Sequence, residues 1–435
     1  MELLRAPLFH TPRNPFREDR ALECYGDGAL LVREGRVAGC GDYASLRDAH
    51  PDVAVTDLRG GFLLPGFIDT HIHFPQLRVL GALGGSLLDW LENTALPEEA
   101  RMADQLYACR VAREFVHALA SHGTTTALVF GAHFAPATAA LFEAAEAAGL
   151  RVASGQVFSD RRLRPELHQT PDQAWRESSS LIRRFHRRGR MLYAVTPRFA
   201  LSTSEAMLEV CQTLLREHEG LLVQTHLNEN PEEIAEVRRQ FPHARDYLAI
   251  YEQFGLSGPN AVMAHDVHPT DSELNRLAMS GATVAHCPCS NAALGSGVFP
   301  LRRHIKAGVR CALGTDVGGG IGFGLLKEGL QAYMLQRVIP DGMLLNSSHL
   351  LYLATRAGAE ALGLSGETGD FNIGKSADFV YLKPPTNSQL AAVREREQSM
   401  ESLLAVIFTL AGAESVCEVR VEGSVVYRSP AAEER

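Results

Sequence analysis

Two histidines one residue apart, His71 and His73, close the apolar run FLLPGFIDTHIH. In a strand, residues i and i+2 share a face, so this pair aims two imidazoles at one point, where neutral imidazole can ligate zinc and related divalent metals. Taken alone, the pair fits two histidines at a wet strand end equally well. Other residues able to bind a metal or move a proton end later apolar runs: His226 in LLVQTHL, His265 in AVMAHD and Asp316 in RCALGTD. Three imidazoles and a carboxylate around an open position describe a hydrolytic metal site, and the metal lowers the pKa of its water toward neutrality. Glu229, three residues after His226 in QTHLNEN, stands where a proton carrier is needed. It also fits a helix-start carboxylate, because Asn230-Pro231-Glu232-Glu233 looks like a helix N-terminus. Arg198, just past the run MLYAVTP, is a fixed cation with forked donors suited to a carbonyl oxygen, or else a salt-bridged surface residue. Phe199 and Trp90 could stack on a planar ligand or serve as ordinary core or lid aromatics.

These residues need a frame that carries them to one place. Short β-prone runs recur through the middle of the chain: the His-x-His run, Thr124–Phe130, Arg151–Phe158, Met191–Pro197, Leu221–Leu227, Ala261–Asp266, Ala282–Cys287 and Arg310–Asp316. Helical patterns separate them, as over Met102–Ser121, Phe134–Ala148, Ser204–Glu217 and Asp271–Ser280. Eight such units in roughly 250 residues predict an α/β fold, a (β/α)8 TIM-like barrel. The candidate residues fall at the C-terminal ends of the runs, the end where barrels carry their active sites. Both chain ends are β-rich with glycine turns. They are expected to form a small β-sandwich domain from residues 1–64 and 375–435, around a catalytic barrel over 65–374.

With 435 residues and a net charge of −9, the chain has no basic run on the scale of a nucleic-acid patch. No apolar run approaches the ~18 residues that span a bilayer, and the N-terminal residues lack a signal-peptide pattern. Eight scattered cysteines point to reduced thiols and a cytoplasmic location. Cys287 and Cys289 are read as structural, since Ala292 stands where a nucleic-acid deaminase's P-C-x-x-C would place its second cysteine. His10, His168, His186, His218 and His243 are expected to be solvated. No lysine precedes Lys306, which argues against a Schiff-base aldolase and against a carboxylated lysine bridging two metals.

The stretches PGFIDTHIHFPQ, SLLDWLENTALPEE, HGTTTAL, VTPRFALS, QTHLNEN, MAHD, AHCPCSN, LGTDVGGG and GKSADFV follow one another in an order that resembles the amidohydrolase superfamily. VTPRF, the glutamine after HIHFP and the LLDWL segment resemble, more narrowly, its guanine deaminase family. The resemblance implies hydrolysis of guanine to xanthine and ammonia by a cytoplasmic homodimer with one Zn2+ per subunit. It implies His71, His73, His226 and Asp316 as metal ligands, His265 beside the metal-bound water, Glu229 as proton shuttle, and Gln76, Arg198 and Phe199 as purine contacts. In that reaction Asp316 accepts the water's proton, and Arg198 selects a 6-oxopurine over adenine. Two positions depart from the family pattern, Asp266 where glycine is usual and Cys289 at a variable site. A sister enzyme acting on an aminotriazine, a chloro-substituted heterocycle or a modified purine would keep the metal set and change the pocket.

Overall fold

The computed structural model describes residues 1–396 and 399–430. Eight parallel strands build the centre: β1 (Phe67–His73), β2 (Thr124–Phe130), β3 (Arg151–Gly155), β4 (Met191–Pro197), β5 (Leu222–Leu227), β6 (Ala261–His265), β7 (Thr283–His286) and β8 (Arg310–Leu313). Each pairs with the next in chain order. All are apolar-rich, as strands buried on both faces must be. The seam between β8 and β1 closes through the segment that follows β8. Asp316 N donates to His71 O at 2.8 Å, His73 N to Val317 O at 2.9 Å, and Thr70 Oγ1 to Leu313 O at 2.8 Å. Gly314 permits this approach, because a Cβ there would stand 2.8 Å from the His71 Cβ. The seam is what sets Asp316 beside His71.

The helices lie where the apolar period predicts, with starts set by capping side chains. The first begins at Gln105, not Met102, because Asp104 accepts from Leu106 N and Tyr107 N. Ser204 likewise caps Glu205–Glu217, and Thr270 caps Asp271–Ser280. The expected strand Arg151–Phe158 is broken at Gln156, whose N–H goes to Tyr193 OH (3.2 Å) and whose amide goes to His133 O (3.0 Å). The short piece Val157–Phe158 then pairs with β4. The expected run to Asp316 ends at Leu313, because Asp316 has φ +49°. His265 and Asp266 at the end of β6 are left-handed too, with φ +74° and +44°.

The chain ends meet in one eight-stranded mixed sheet. Phe379–Leu382 pairs antiparallel with Phe62–Pro65, which joins the C-terminal hairpin Val416–Arg428 to the N-terminal strands Glu2–His10, Glu23–Arg33 and Arg36–Asp42. Alternation assigns its faces: Phe62 and Leu64 join the barrel core, while Leu63 packs with Leu4, Leu8 and Phe379. The 375–435 segment includes 397–398 and 431–435, which lie outside the described residues. Of the five histidines expected to be solvated, only His243 is exposed; His168, His186 and His218 are half-buried. His10 is buried at the end of the strand Glu2–His10, where its Nδ1 accepts from Phe371 N at 3.2 Å, a long-range contact that its neighbours in sequence do not announce. Cys24, Cys40, Cys109, Cys211, Cys287, Cys289 and Cys311 are free thiols, and no helix among the described residues is long and apolar enough to cross a membrane.

Candidate active site

The ends of β1, β5 and β6 and the turn after β8 bring five side chains to one mouth. His71 and His73 share a face of β1, and their Nε2 atoms are 3.3 Å apart. His226 Nε2 lies 3.3 Å from His73 Nε2. Asp316 Oδ1 lies 3.3 Å from His71 Nε2 and 3.2 Å from His73 Nε2. His265 Nε2 stands to one side, 3.9 Å from Asp316 Oδ2 and 3.5 Å from Glu229 Oε2. Two overlapping groups, His71–His73–His226 and His71–His265–Asp316, have donor atoms close enough to hold an ion.

The protonation states suit a cation. His226 Nδ1 lies 2.6 Å from Arg198 O, which can only accept, so Nδ1 carries the proton and Nε2 presents a lone pair to the cluster. His265 Nδ1 is held in the same way by Asn291 Oδ1 at 2.8 Å. Burial keeps the imidazoles neutral: His73 is pushed down to about 4 and His226 well below the usual histidine range. Burial works to raise Asp316, but the His71 and His73 imidazoles outweigh it and hold the carboxyl well below its ordinary value. Tetrahedral zinc with ligands at about 2.0–2.1 Å has ligand–ligand edges of about 3.3 Å. Four of the six separations among His71, His73, His226 and Asp316, at 3.2 and 3.3 Å, match such edges. Neutral imidazole lone pairs and one carboxylate at these spacings fit a single divalent metal.

Supporting groups hold these donors. Asp69 accepts from His71 N (3.1 Å), Thr315 N (3.1 Å) and Thr315 Oγ1 (2.5 Å), bracing both sides of the seam. Burial raises its pKa to about 7. Ser290 Oγ donates to Asp316 Oδ2 at 2.5 Å. Ser290 and Asn291 belong to HCPCSN, so that motif shapes the seventh loop by orienting Asp316 and His265. Asp266, one of the two departures, does not line the cavity; it accepts from Asn228 Nδ2 at 3.0 Å and pairs with His304 Nε2 at 2.8 Å. Cys289 also lies off the cavity, with its N–H on Glu328.

Glu229 is 4 % exposed and lines the cavity with His73, His226, His265 and Asp316. It is not the helix-start carboxylate: Asn230 caps Pro231–Gln240, and Glu233 closes the capping box and accepts from Glu229 N at 3.2 Å. Burial first, then the charge on Asp316, raises the Glu229 pKa to about 8. A carboxyl that holds its proton near neutral pH can deliver it and take it back.

Gln76, Arg198, Phe199 and Trp90 line the same cavity. Trp90 is tethered through Nε1 to Ala82 O at 3.0 Å and packs in the core beside Leu87 and Leu91. Arg198 is salt-bridged but not at the surface. It is 2 % exposed, and Nη1 binds Glu99 at 2.7 and 2.9 Å. Glu99 also accepts from Gln76 Nε2 at 2.7 Å, and its Oε2 lies 3.3 Å from His133 Nδ1, off the angle of a hydrogen bond. Despite its burial, Glu99 is held well below the usual carboxylate range, chiefly by Arg198. Sequence reasoning missed Glu99 and His133. In LPEE the carboxylate reads as a helix first turn, and no local pattern points to a partner 99 residues away.

A parallel barrel with buried donors at its C-terminal rim is the frame of a metal-dependent hydrolase, and residues 62–426 match the amidohydrolase family. The chain belongs to the amidohydrolase family. A short stretch, residues 28–52, also matches a bacterial imidazolonepropionase-like composite domain. Within the family the chain is similar to guanine deaminases. It is 56% identical to the probable guanine deaminase of Deinococcus radiodurans, over 98% of this chain and 99% of that one. The solved structure of the E. coli guanine deaminase is 38% identical and superposes with a TM-score of 0.95, covering 98% of this chain and 100% of that chain. A guanine deaminase from C. acetobutylicum, with guanine bound in its active site, is 25% identical over 98% of this chain and 100% of that chain, with a TM-score of 0.90.

Proposed function

We propose that this protein hydrolyses guanine to xanthine and ammonia in purine catabolism, with one zinc ion per subunit held by His71, His73, His226 and Asp316. The chain is a hydrolase of C–N bonds by family. The observation that carries the metal reading is that four of the six separations among these donor atoms, at 3.2 and 3.3 Å, match the edge of a zinc tetrahedron. When bound, a divalent metal supplies the Lewis acidity that makes water a nucleophile near neutral pH. Asp316 accepts the proton of the attacking water. Glu229 protonates the ring nitrogen next to the amine-bearing carbon, and His265 steadies the charge that develops there. Asp316 passes the water's proton to the amine, the C2 hydroxyl returns a proton to Glu229 as the carbonyl forms, and ammonia leaves. Arg198 donates to the 6-oxo oxygen, which adenine replaces with an amine donor, and Gln76 fixes the purine edge. Phe199 and Trp90 supply stacking faces for the purine. The guanine bound in the C. acetobutylicum relative supports this substrate.

The free thiols of Cys24, Cys40, Cys109, Cys211, Cys287, Cys289 and Cys311 support a cytoplasmic enzyme, and the family resemblance supports a homodimer. Residues 1–64 with 375–435 are proposed as the accessory domain and 65–374 as the catalytic one, supported by the antiparallel pairing of Phe62–Pro65 with Phe379–Leu382. The test is elemental analysis of the purified protein together with loss of guanine absorbance and release of ammonia, run beside a panel of purines and triazines. One equivalent of zinc and guanine turnover are expected. Turnover of a chloro- or aminotriazine without guanine would replace the substrate assignment.

A further inference from the structure

We propose that Glu99 is a positioning residue that sets both the aim and the net charge of the Arg198–Gln76 purine-recognition pair, so that the cavity takes neutral oxopurines in preference to their anions. This rests on the guanine reading above. Glu99 sits on the short helix Leu96–Ala100 and does not line the cavity. Gln76 from the segment after β1, Arg198 from the end of β4 and His133 from the segment after β2 all converge on its carboxylate. Gln76 is held at both ends, since its Oε1 accepts from Gly318 N at 3.1 Å. Arg198 gives only Nη1 to side chains among the described residues, so its other donors are free to meet a ligand. Such a clamp fixes where those donors point, and small errors in aim cost rate steeply.

The same contact cancels a charge. A lone guanidinium, 2 % exposed, would attract any anion small enough to enter. Paired at 2.7 Å with Glu99, it offers hydrogen bonds with little net charge. The other groups near Glu99 do not upset this balance: His133 is kept neutral by burial, and Glu98 on the same helix is engaged with Tyr107 and Arg101. Guanine is neutral at physiological pH, whereas xanthine is the stronger acid and loses a proton in the mildly alkaline range. Glu99 thus disfavours the ionised product and assists its release.

The test uses the metal-loaded enzyme in wild-type, Glu99→Gln and Glu99→Asp forms, each checked for folding by circular dichroism. Xanthine and hypoxanthine, a neutral 6-oxopurine, are titrated calorimetrically at mildly alkaline pH, and guanine kcat and KM are measured separately. Glu99→Gln should bind xanthine about tenfold or more tighter relative to hypoxanthine, as expected when one nearby charge is removed. Its guanine kcat/KM should fall by about 10- to 100-fold through lost aim. Glu99→Asp keeps the charge and shortens the reach, so it should lose kcat/KM while keeping the wild-type binding ratio. A wild-type ratio in Glu99→Gln overturns the charge role, and wild-type kcat/KM in both variants overturns the aiming role. Should Glu99→Gln not fold, a shifted ratio in Glu99→Asp, or wild-type protein preferring ionised xanthine to hypoxanthine, overturns the proposal. The titrations need no turnover, so failure to deaminate guanine would sink the functional reading while the binding ratio still decides on Glu99.

Discussion

Replacing Arg198 with alanine strands Glu99, 2 % exposed, without its cation. The cost can be read from other carboxyls of the same chain. Glu229, Glu233 and Glu328 are buried without a cation partner in contact, and burial raises each to about 8 from an ordinary 4.5. A stranded Glu99 should follow them and fold in its protonated form. At pH 7 taking up that proton spans about 2.5 pH units at about 1.36 kcal/mol each, or roughly 3 kcal/mol. That agrees with the roughly 3–5 kcal/mol lost when one partner of a buried ion pair is removed. The sign reverses between the two proteins. In the wild type the folded pKa of Glu99 is depressed, so its contribution is present above 4.5 and lost as the pH falls through the folded value. In Arg198→Ala the folded pKa is raised, so stability is lost as the pH rises from 4.5 toward 8. The gap between the proteins therefore widens from acid to neutral pH. Urea unfolding of wild type, Arg198→Ala, Glu99→Gln and the double variant, at about pH 5 and pH 7, measures it. The double variant should recover much of the loss, because no charge is left stranded, while guanine turnover stays low. A loss under about 0.5 kcal/mol at pH 7, or one independent of pH, would refute the reasoning.

Glu229→Gln should lower guanine kcat by about 10²- to 10⁴-fold with metal content unchanged by elemental analysis; unchanged turnover would remove Glu229 from proton transfer. His73→Ala and Asp316→Ala should each bind less than one equivalent of metal after dialysis, and chelation of the wild type should abolish turnover until zinc is restored. Glu328 has a folded pKa raised by burial to about 8 from 4.5, so its stabilising effect is fully present below 4.5 and is lost as the pH rises through about 8. Glu328→Gln should therefore flatten the fall in stability across that window, as read by denaturant midpoints.

The barrel was legible because its signals are local. Runs of β-branched and apolar residues mark strands, and capping residues such as Ser204 and Thr270 mark helix starts within a residue. His-x-His reads as a shared face because a strand has period two, and the ends of successive runs reveal a common rim because parallel strands point the same way. Gln156 shows the limit. Its break in the expected third strand comes from Tyr193 and His133, which lie outside the run. His10 was misjudged for the same reason, since its burial depends on Phe371.

What the chain alone determined, then, is the succession of strands and helices and the residue types at the strand ends, because backbone periodicity and capping act over a few residues. Which of those side chains touch was decided only by closure of the barrel. Asp316 reaches His71 across a seam between the first and last strands, and Glu99 meets Arg198 from a helix that precedes it by 99 positions. Contacts of that range depend on where the backbone carries each group in space, and short-range spacing holds no record of it.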